Sequence, residues 1–156
     1  MLTMFTDGSA VRGNPGQAAG AYAILREGKL LEALGIPLGN GTNNEGELMA
    51  VIAGMIAAQS YIEKEEALLV VSDSRYIING MSDLGHYTES RTRPNWALWV
   101  LLSSTMAVLT DNGTEVKCYW VKGHDTNEGN KVCDKLARKT ARTQQFQMYG
   151  RDRPKT

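Results

Sequence analysis

Ala67-Leu68-Leu69-Val70-Val71-Ser72 is a short, unbroken apolar run that ends on Asp73. A strand without polar alternation is buried on both faces, as in a sheet covered by helices on each side. A strand of this kind needs neighbours that sandwich it, which directs the chain to an α/β layer architecture. The 156 residues fit one domain of ordinary size, long enough to bury a core without disulfide staples.

The flanking segments supply those neighbours. Leu2 to Thr6 reads as a strand running into Asp7, and the Gly-, Asn- and Pro-rich stretch from Asp7 to Gly16 as a turn. Ala18 to Leu25 and Leu30 to Ile36 read as strands hinged at Glu27-Gly28. Thr42-Asn43-Asn44-Glu45 matches a capping box, and Leu48, Val51, Ile52 and Met55 follow at helical spacing to about Tyr61. Beyond Asp73 the chain reads as a short helix over Ser74 to Met81, then a polar, irregular stretch from Ser82 to Pro94. An apolar helix over Trp96 to Leu109, a strand over Glu115 to Lys122 and a last helix over Lys131 to about Gln144 complete the order. This is an α/β chain with a mixed sheet, with a single domain over residues 1–143 and a basic, flexible tail over 144–156.

Composition narrows the setting. No apolar run approaches the roughly 18 residues a membrane span needs, so no membrane partner is expected. Met1-Leu2-Thr3-Met4-Phe5 lacks the basic and long apolar regions of a secretory signal. Cys118 and Cys133 form neither a disulfide framework nor a zinc pattern, which favours a reduced, cytoplasmic setting. Net charge is zero, but Arg138 to Thr156 holds six basic residues and one acid, leaving the rest of the chain at −5. An acidic body with a basic end is a candidate for binding a polyanion, with cations in the body.

Four acids stand out by position. Asp7 follows the first strand, Asp73 the buried strand, Glu47 lies in the second turn of the first long helix and Asp134 in the last helix. If the first and fourth strands are parallel neighbours, Asp7 and Asp73 emerge side by side, and Glu47 can point to the same sheet edge. Taken singly, an Asp after a strand often caps a turn and a helical Glu is usually solvated. Together they form a like-charge cluster that raises its own pKa values, and a hard divalent cation relieves that cost.

The residues around these acids resemble the type 1 ribonuclease H family. Thr6-Asp7-Gly8-Ser9 with Gly13-Asn14-Pro15-Gly16, Thr42-Asn43-Asn44-Glu45-Gly46-Glu47-Leu48-Met49-Ala50, and Ser72-Asp73-Ser74 are similar to its first three motifs. Trp120-Val121-Lys122-Gly123-His124 and Asn130-Lys131-Val132-Cys133-Asp134-Lys135-Leu136-Ala137-Arg138 are similar to the last two. Each motif alone is weak; five in order over nearly the whole chain are specific.

The resemblance implies a ribonuclease H-like fold, with a five-stranded mixed sheet in order 3-2-1-4-5 flanked by helices. It implies hydrolysis of the RNA strand of RNA–DNA hybrids, leaving 5′-phosphate and 3′-hydroxyl ends. Two Mg²⁺ ions about 4 Å apart, with Mn²⁺ as a substitute, would flank the scissile phosphate. Asp7 would bridge them, Glu47 and Asp73 would complete one site and Asp134 the other. His124, between glycines, would assist proton transfer or product departure. Asn14, Thr42, Asn43, Asn44 and Arg75 would contact the hybrid, since a 2′-hydroxyl donates and accepts hydrogen bonds. Thr42 and Asn43 also have a competing role at the helix cap.

Two departures from the family pattern are visible. Gly46 stands where a larger residue is common and is expected to loosen the helix at Glu47, by about 1 kcal/mol of propensity. Asn79 to Asn95, a basic handle in many relatives, here balances Asp83 and Glu89 against Arg91 and Arg93. Rival readings are a DNA-cutting or strand-joining enzyme on the same fold, a non-catalytic hybrid-binding module, and a domain of a reverse transcriptase. The Asn-rich second motif, the intact acids and the chain's own Met1 and tail favour a free-standing, monomeric hybrid nuclease over these.

Overall fold

The computed structural model describes residues 1–123 and 127–150. The apolar run becomes β4 (Leu68–Ser72), lying between β1 (Leu2–Val11) and β5 (Val116–Trp120) and parallel to both. On its other side β1 pairs antiparallel with β2 (Gly16–Arg26), and β2 with β3 (Lys29–Gly41). These five strands follow the expected order 3-2-1-4-5, but the expected count is one short. A sixth strand, β6 (Gln147–Gly150), adds antiparallel to the free edge of β3, giving the order β5-β4-β1-β2-β3-β6.

The extra strand has a local cause. The last helix, α5 (Glu128–Thr143), ends on Gln144 in the left-handed region, φ 51°. The Gln144 side-chain Nε2 donates to Ala18 O at 3.0 Å, and its Oε1 accepts from Gly39 N–H at 2.8 Å. The chain is thereby turned back along β3, where Met148 faces Leu34 in the ladder. β1 also runs further than expected. Asp7 to Val11 continue the ladder with β2, and the turn begins only at Arg12 and Gly13, both at positive φ.

The two faces carry separate cores, as the period-two alternation of a strand requires. Leu2, Met4, Tyr22 and Ile24 pack with α1 (Asn43–Ala58), α2 (Arg75–Ser82) and α4 (Trp96–Asp111). Phe5, Ala21, Ala23 and Val71 pack with Cys133, Leu136 and Ala137 of α5 on the other face. The Ser82–Pro94 stretch is less irregular than expected, for it holds a short helix, α3 (Leu84–Thr88). Trp99 of α4 is fully buried against this stretch; its indole N–H donates to Tyr76 Oη at 2.8 Å and its ring lies 4.8 Å from that of Tyr87.

Candidate active site

The ladder between β1 and β4 pairs Thr6 with Ser72, so the next residues, Asp7 and Asp73, leave the two strands side by side. Glu47 reaches them because α1 lies unusually close to the sheet. A Cβ on Gly46 would fall 2.2 Å from Ala19 O, one on Gly20 2.3 Å from Gly46 O, and one on Gly8 2.4 Å from Glu47 N. Only hydrogen is small enough at all three positions. The glycine at 46 is therefore not a loosening of the helix but the condition for its close approach.

The start of α1 is fixed as the sequence implied. Thr42 Oγ1 accepts from Glu45 N–H at 3.1 Å, and Glu45 Oε1 accepts from Thr42 N–H at 3.0 Å, a complete capping box. Asn14 reaches over from the β1–β2 turn: its Oδ1 accepts from Asn43 N–H at 3.0 Å and its amide donates to Asn43 Oδ1 at 2.9 Å. Asn14 and Asn43 are both exposed, and Asn44 beside them is half-buried. These amides thus stand as a small, internally braced polar ledge next to the acids.

Carboxylate oxygens of Asp7, Glu47 and Asp73 all lie within 4.8 Å of one another. Asp7 and Glu47 are buried, and Glu47 Oε2 has no hydrogen-bond partner among the described residues. Gly8 N–H donates to Asp7 Oδ1 at 2.9 Å and holds that carboxylate in place. Burial, then the charge of Asp73, pushes Asp7 up to about 7, and a smaller push comes from Asp134. Burial, then the charges of Asp7 and Asp73, pushes Glu47 well above the ordinary glutamate value. An all-oxygen cluster of two buried carboxylates and one half-buried, with a lone oxygen on Glu47, matches what a hard divalent cation requires.

Asp134, the fourth expected acid, stands outside this trio. It is on α5, one-third exposed, and its Oδ2 takes an ion pair from Arg138 Nη2 at 2.9 Å. Sequence reasoning gave Arg138 no role beyond its charge, although the i,i+4 spacing with Asp134 was the available signal. Arg75 is exposed at the first position of α2, with its guanidinium carbon 4.0 Å from the centroid of the Trp120 ring. Trp120 in turn donates its indole N–H to Asp73 O at 3.0 Å. Trp120 thus braces both the main chain of an acid and the side chain of a cation. His124 lies outside the described residues. Handle arginines Arg91 and Arg93 sit over Trp96 and Tyr87, and Arg93 also meets His86 Nε2 at 2.7 Å.

Comparison with known proteins agrees with this arrangement. A ribonuclease H from Tolumonas auensis is 38% identical over 151 residues, covering 90% of this chain and 89% of that protein. Ribonuclease HI of Haemophilus influenzae is 34% identical over 149 residues, covering 90% and 89%. The structure superposes on LC11-RNase H1, solved in complex with an RNA/DNA hybrid, with a TM-score of 0.72 at 22% identity, covering 92% of this chain and 99% of that one. It superposes on RNase H1 from Halobacterium salinarum with a TM-score of 0.69 at 24% identity, covering 92% and 98%. These superpositions establish a shared fold. With the RNase H family model matching residues 1–142, the chain belongs to the RNase H family.

Proposed function

We propose that this protein is an endoribonuclease that hydrolyses the RNA strand of RNA–DNA hybrids, leaving 5′-phosphate and 3′-hydroxyl ends. The observation that carries the reading is the cluster of Asp7, Glu47 and Asp73, the first two buried, with Glu47 Oε2 unpartnered among the described residues. Asp7, Glu47 and Asp73 would hold one Mg²⁺, and Asp7 with Asp134 a second; Mn²⁺ has the same preference for oxygen and substitutes. Bound there, the ions supply Lewis-acid stabilisation of charge on the phosphate and lower the pKa of water.

The chain's own residues supply position and recognition. The Gly8 amide keeps Asp7 oriented, and the glycine contacts keep Glu47 against it. The ledge of Asn14, Asn43 and Asn44, set on the Thr42 capping box, offers amides that both donate to and accept from a ribose 2′-hydroxyl. Arg75, propped on Trp120, presents guanidinium donors to a phosphate next to the acids. His124, which follows β5 in the sequence, serves as an accessory proton-transfer group. All these residues belong to one chain, which fits a monomer; the tail expected from residue 144 is shortened, because Gln147–Gly150 join the sheet as β6, and its basic residues are Arg151, Arg153 and Lys155. No described helix is long and apolar enough to cross a membrane. Both cysteines are free thiols, in keeping with a cytoplasmic home.

The test is incubation with an end-labelled hybrid, single-stranded RNA, duplex RNA and duplex DNA, with and without Mg²⁺, and mapping of the product ends. Mg²⁺-dependent cutting of the hybrid's RNA strand alone is expected. Cutting of duplex DNA, or hybrid binding without cleavage, would favour a rival reading.

A further inference from the structure

Asp134 already has a cationic partner inside the protein. Its Oδ2 lies 2.9 Å from Arg138 Nη2, one helical turn along α5. The remaining three acids have their oxygens gathered within 4.8 Å of each other, and Asp134 is not among them. Arg138 is more than half exposed, so its guanidinium can swing without disturbing the core. A guanidinium keeps its charge at any working pH, so at neutral pH a divalent cation competes with it directly for the carboxylate. Once displaced, its forked donors match a phosphate.

Resting on the proposed function, we propose that Arg138 is a positioning residue that works by ion-pair exchange. In the free protein it holds Asp134 away from the acid trio. When a second divalent cation and the hybrid arrive, Asp134 turns to the cation, and Arg138 turns to a phosphate of the bound strand. The exchange ties completion of the second cation site to the presence of substrate. It also keeps a fourth negative charge apart from Asp7, Glu47 and Asp73 in the free protein.

The probe is Mn²⁺, titrated by calorimetry into the full chain without nucleic acid. The wild type, Arg138→Ala, Arg138→Lys and Asp134→Asn are compared, with thermal melts to confirm folding. A first binding event, from the acid trio, is expected in all four. In Arg138→Ala a second, weaker event should tighten by about two- to five-fold, the worth of one exposed ion pair. Arg138→Lys, which keeps the charge, should stay near wild type, and Asp134→Asn should lose the second event. A first event present with the second absent throughout, equal in wild type and Arg138→Ala, or weakened in Arg138→Ala, would overturn the exchange and leave the nuclease reading intact. Absence of any Mn²⁺ binding in the wild type would overturn the metal assignment beneath it as well.

Discussion

Replacing Gly46 with Ala separates two opposite expectations. Helix propensity alone favours Ala over Gly in a helix interior by about 1 kcal/mol. The packing of α1 on the sheet says the reverse. The new Cβ would lie 2.2 Å from Ala19 O and 3.2 Å from Gly8 Cα. A carbon and a carbonyl oxygen settle no closer than about 3.3 Å. The helix must therefore lift by roughly 1 Å at this point, because the obstacle is main chain in a paired strand and cannot rotate away. Overpacking of this kind costs about 1–3 kcal/mol, which outweighs the propensity gain. The lift also carries Glu47, the next residue, away from Asp7, and a misplacement near 1 Å costs on the order of 100-fold in rate.

Gly46→Ala should therefore lower Tm by a few degrees, at roughly 2–4 °C per kcal/mol for a chain of this size, and reduce kcat by about 10- to 100-fold. The assays are thermal melting and hybrid cleavage under saturating Mg²⁺. Gly54→Ala in the same helix is the control. Its Cβ would first meet Met4 Sδ at 2.5 Å, the mobile part of a flexible side chain, with Tyr22 Cβ next at 3.1 Å. It sits two turns from Glu47 and should leave kcat within about two-fold. A Gly46→Ala protein as stable as wild type, or more so, with unchanged kcat would refute the close-approach argument.

Asp7→Asn should abolish cleavage, and near-wild-type turnover by the folded variant would end the metal-site assignment. Without metal it should be more stable than wild type. Asp7 is raised above its unfolded value, so its ionisation costs stability; the cost is absent below about pH 4, grows as pH rises toward about 7 and is complete above that. The displacement from 3.8 to about 7 sets a ceiling near ~4 kcal/mol at ~1.4 kcal/mol per pH unit. Melts at pH 4 and pH 8 in EDTA should show the Asn variant's advantage only at pH 8. His124→Ala should slow turnover by about 10- to 100-fold with cation binding unchanged; complete loss would make His124 a primary catalytic group. Replacing Arg151, Arg153 and Lys155 with Gln removes charge while leaving β6 in place. If these residues touch phosphates, the log–log salt slope of hybrid binding should flatten by up to about 0.9 per lost contact. Superimposable salt curves would show the arm to be idle.

Much of the architecture was legible because its signals are local. The apolar run to Ser72 marks a buried strand, and the Thr42–Glu45 box marks a helix start; both are where the sequence puts them. β6 was not legible, because a four-residue edge strand forms only after Gln144 has clamped α5 to β2 and the end of β3. The pairing of Asn14 with Asn43 spans 29 positions and depends on how the β1–β2 turn curls over α1. The sequence showed two amides suited to a hybrid. It did not show that each spends hydrogen-bonding atoms on the other, which makes the ledge stiffer and leaves fewer free atoms for substrate.

Gly46 illustrates the deeper limit. A residue's effect on its own helix can be read from the chain, but its effect on the distance between helix and sheet cannot. That distance is what brings Glu47 to Asp7, and it is set by three glycines, Gly8, Gly20 and Gly46, that lie in three different elements. Main chain brings the acid trio together: a parallel ladder fixes Asp7 beside Asp73, and backbone contact fixes Glu47 above them. Side-chain partners would neutralise the carboxylates and blunt their demand for cations. Backbone constraint instead imposes burial and proximity, and burial first, then the neighbouring like charges, displaces Asp7 and Glu47 upward together. Asp134 differs in its setting, for its carboxylate is held by an arginine one turn along α5.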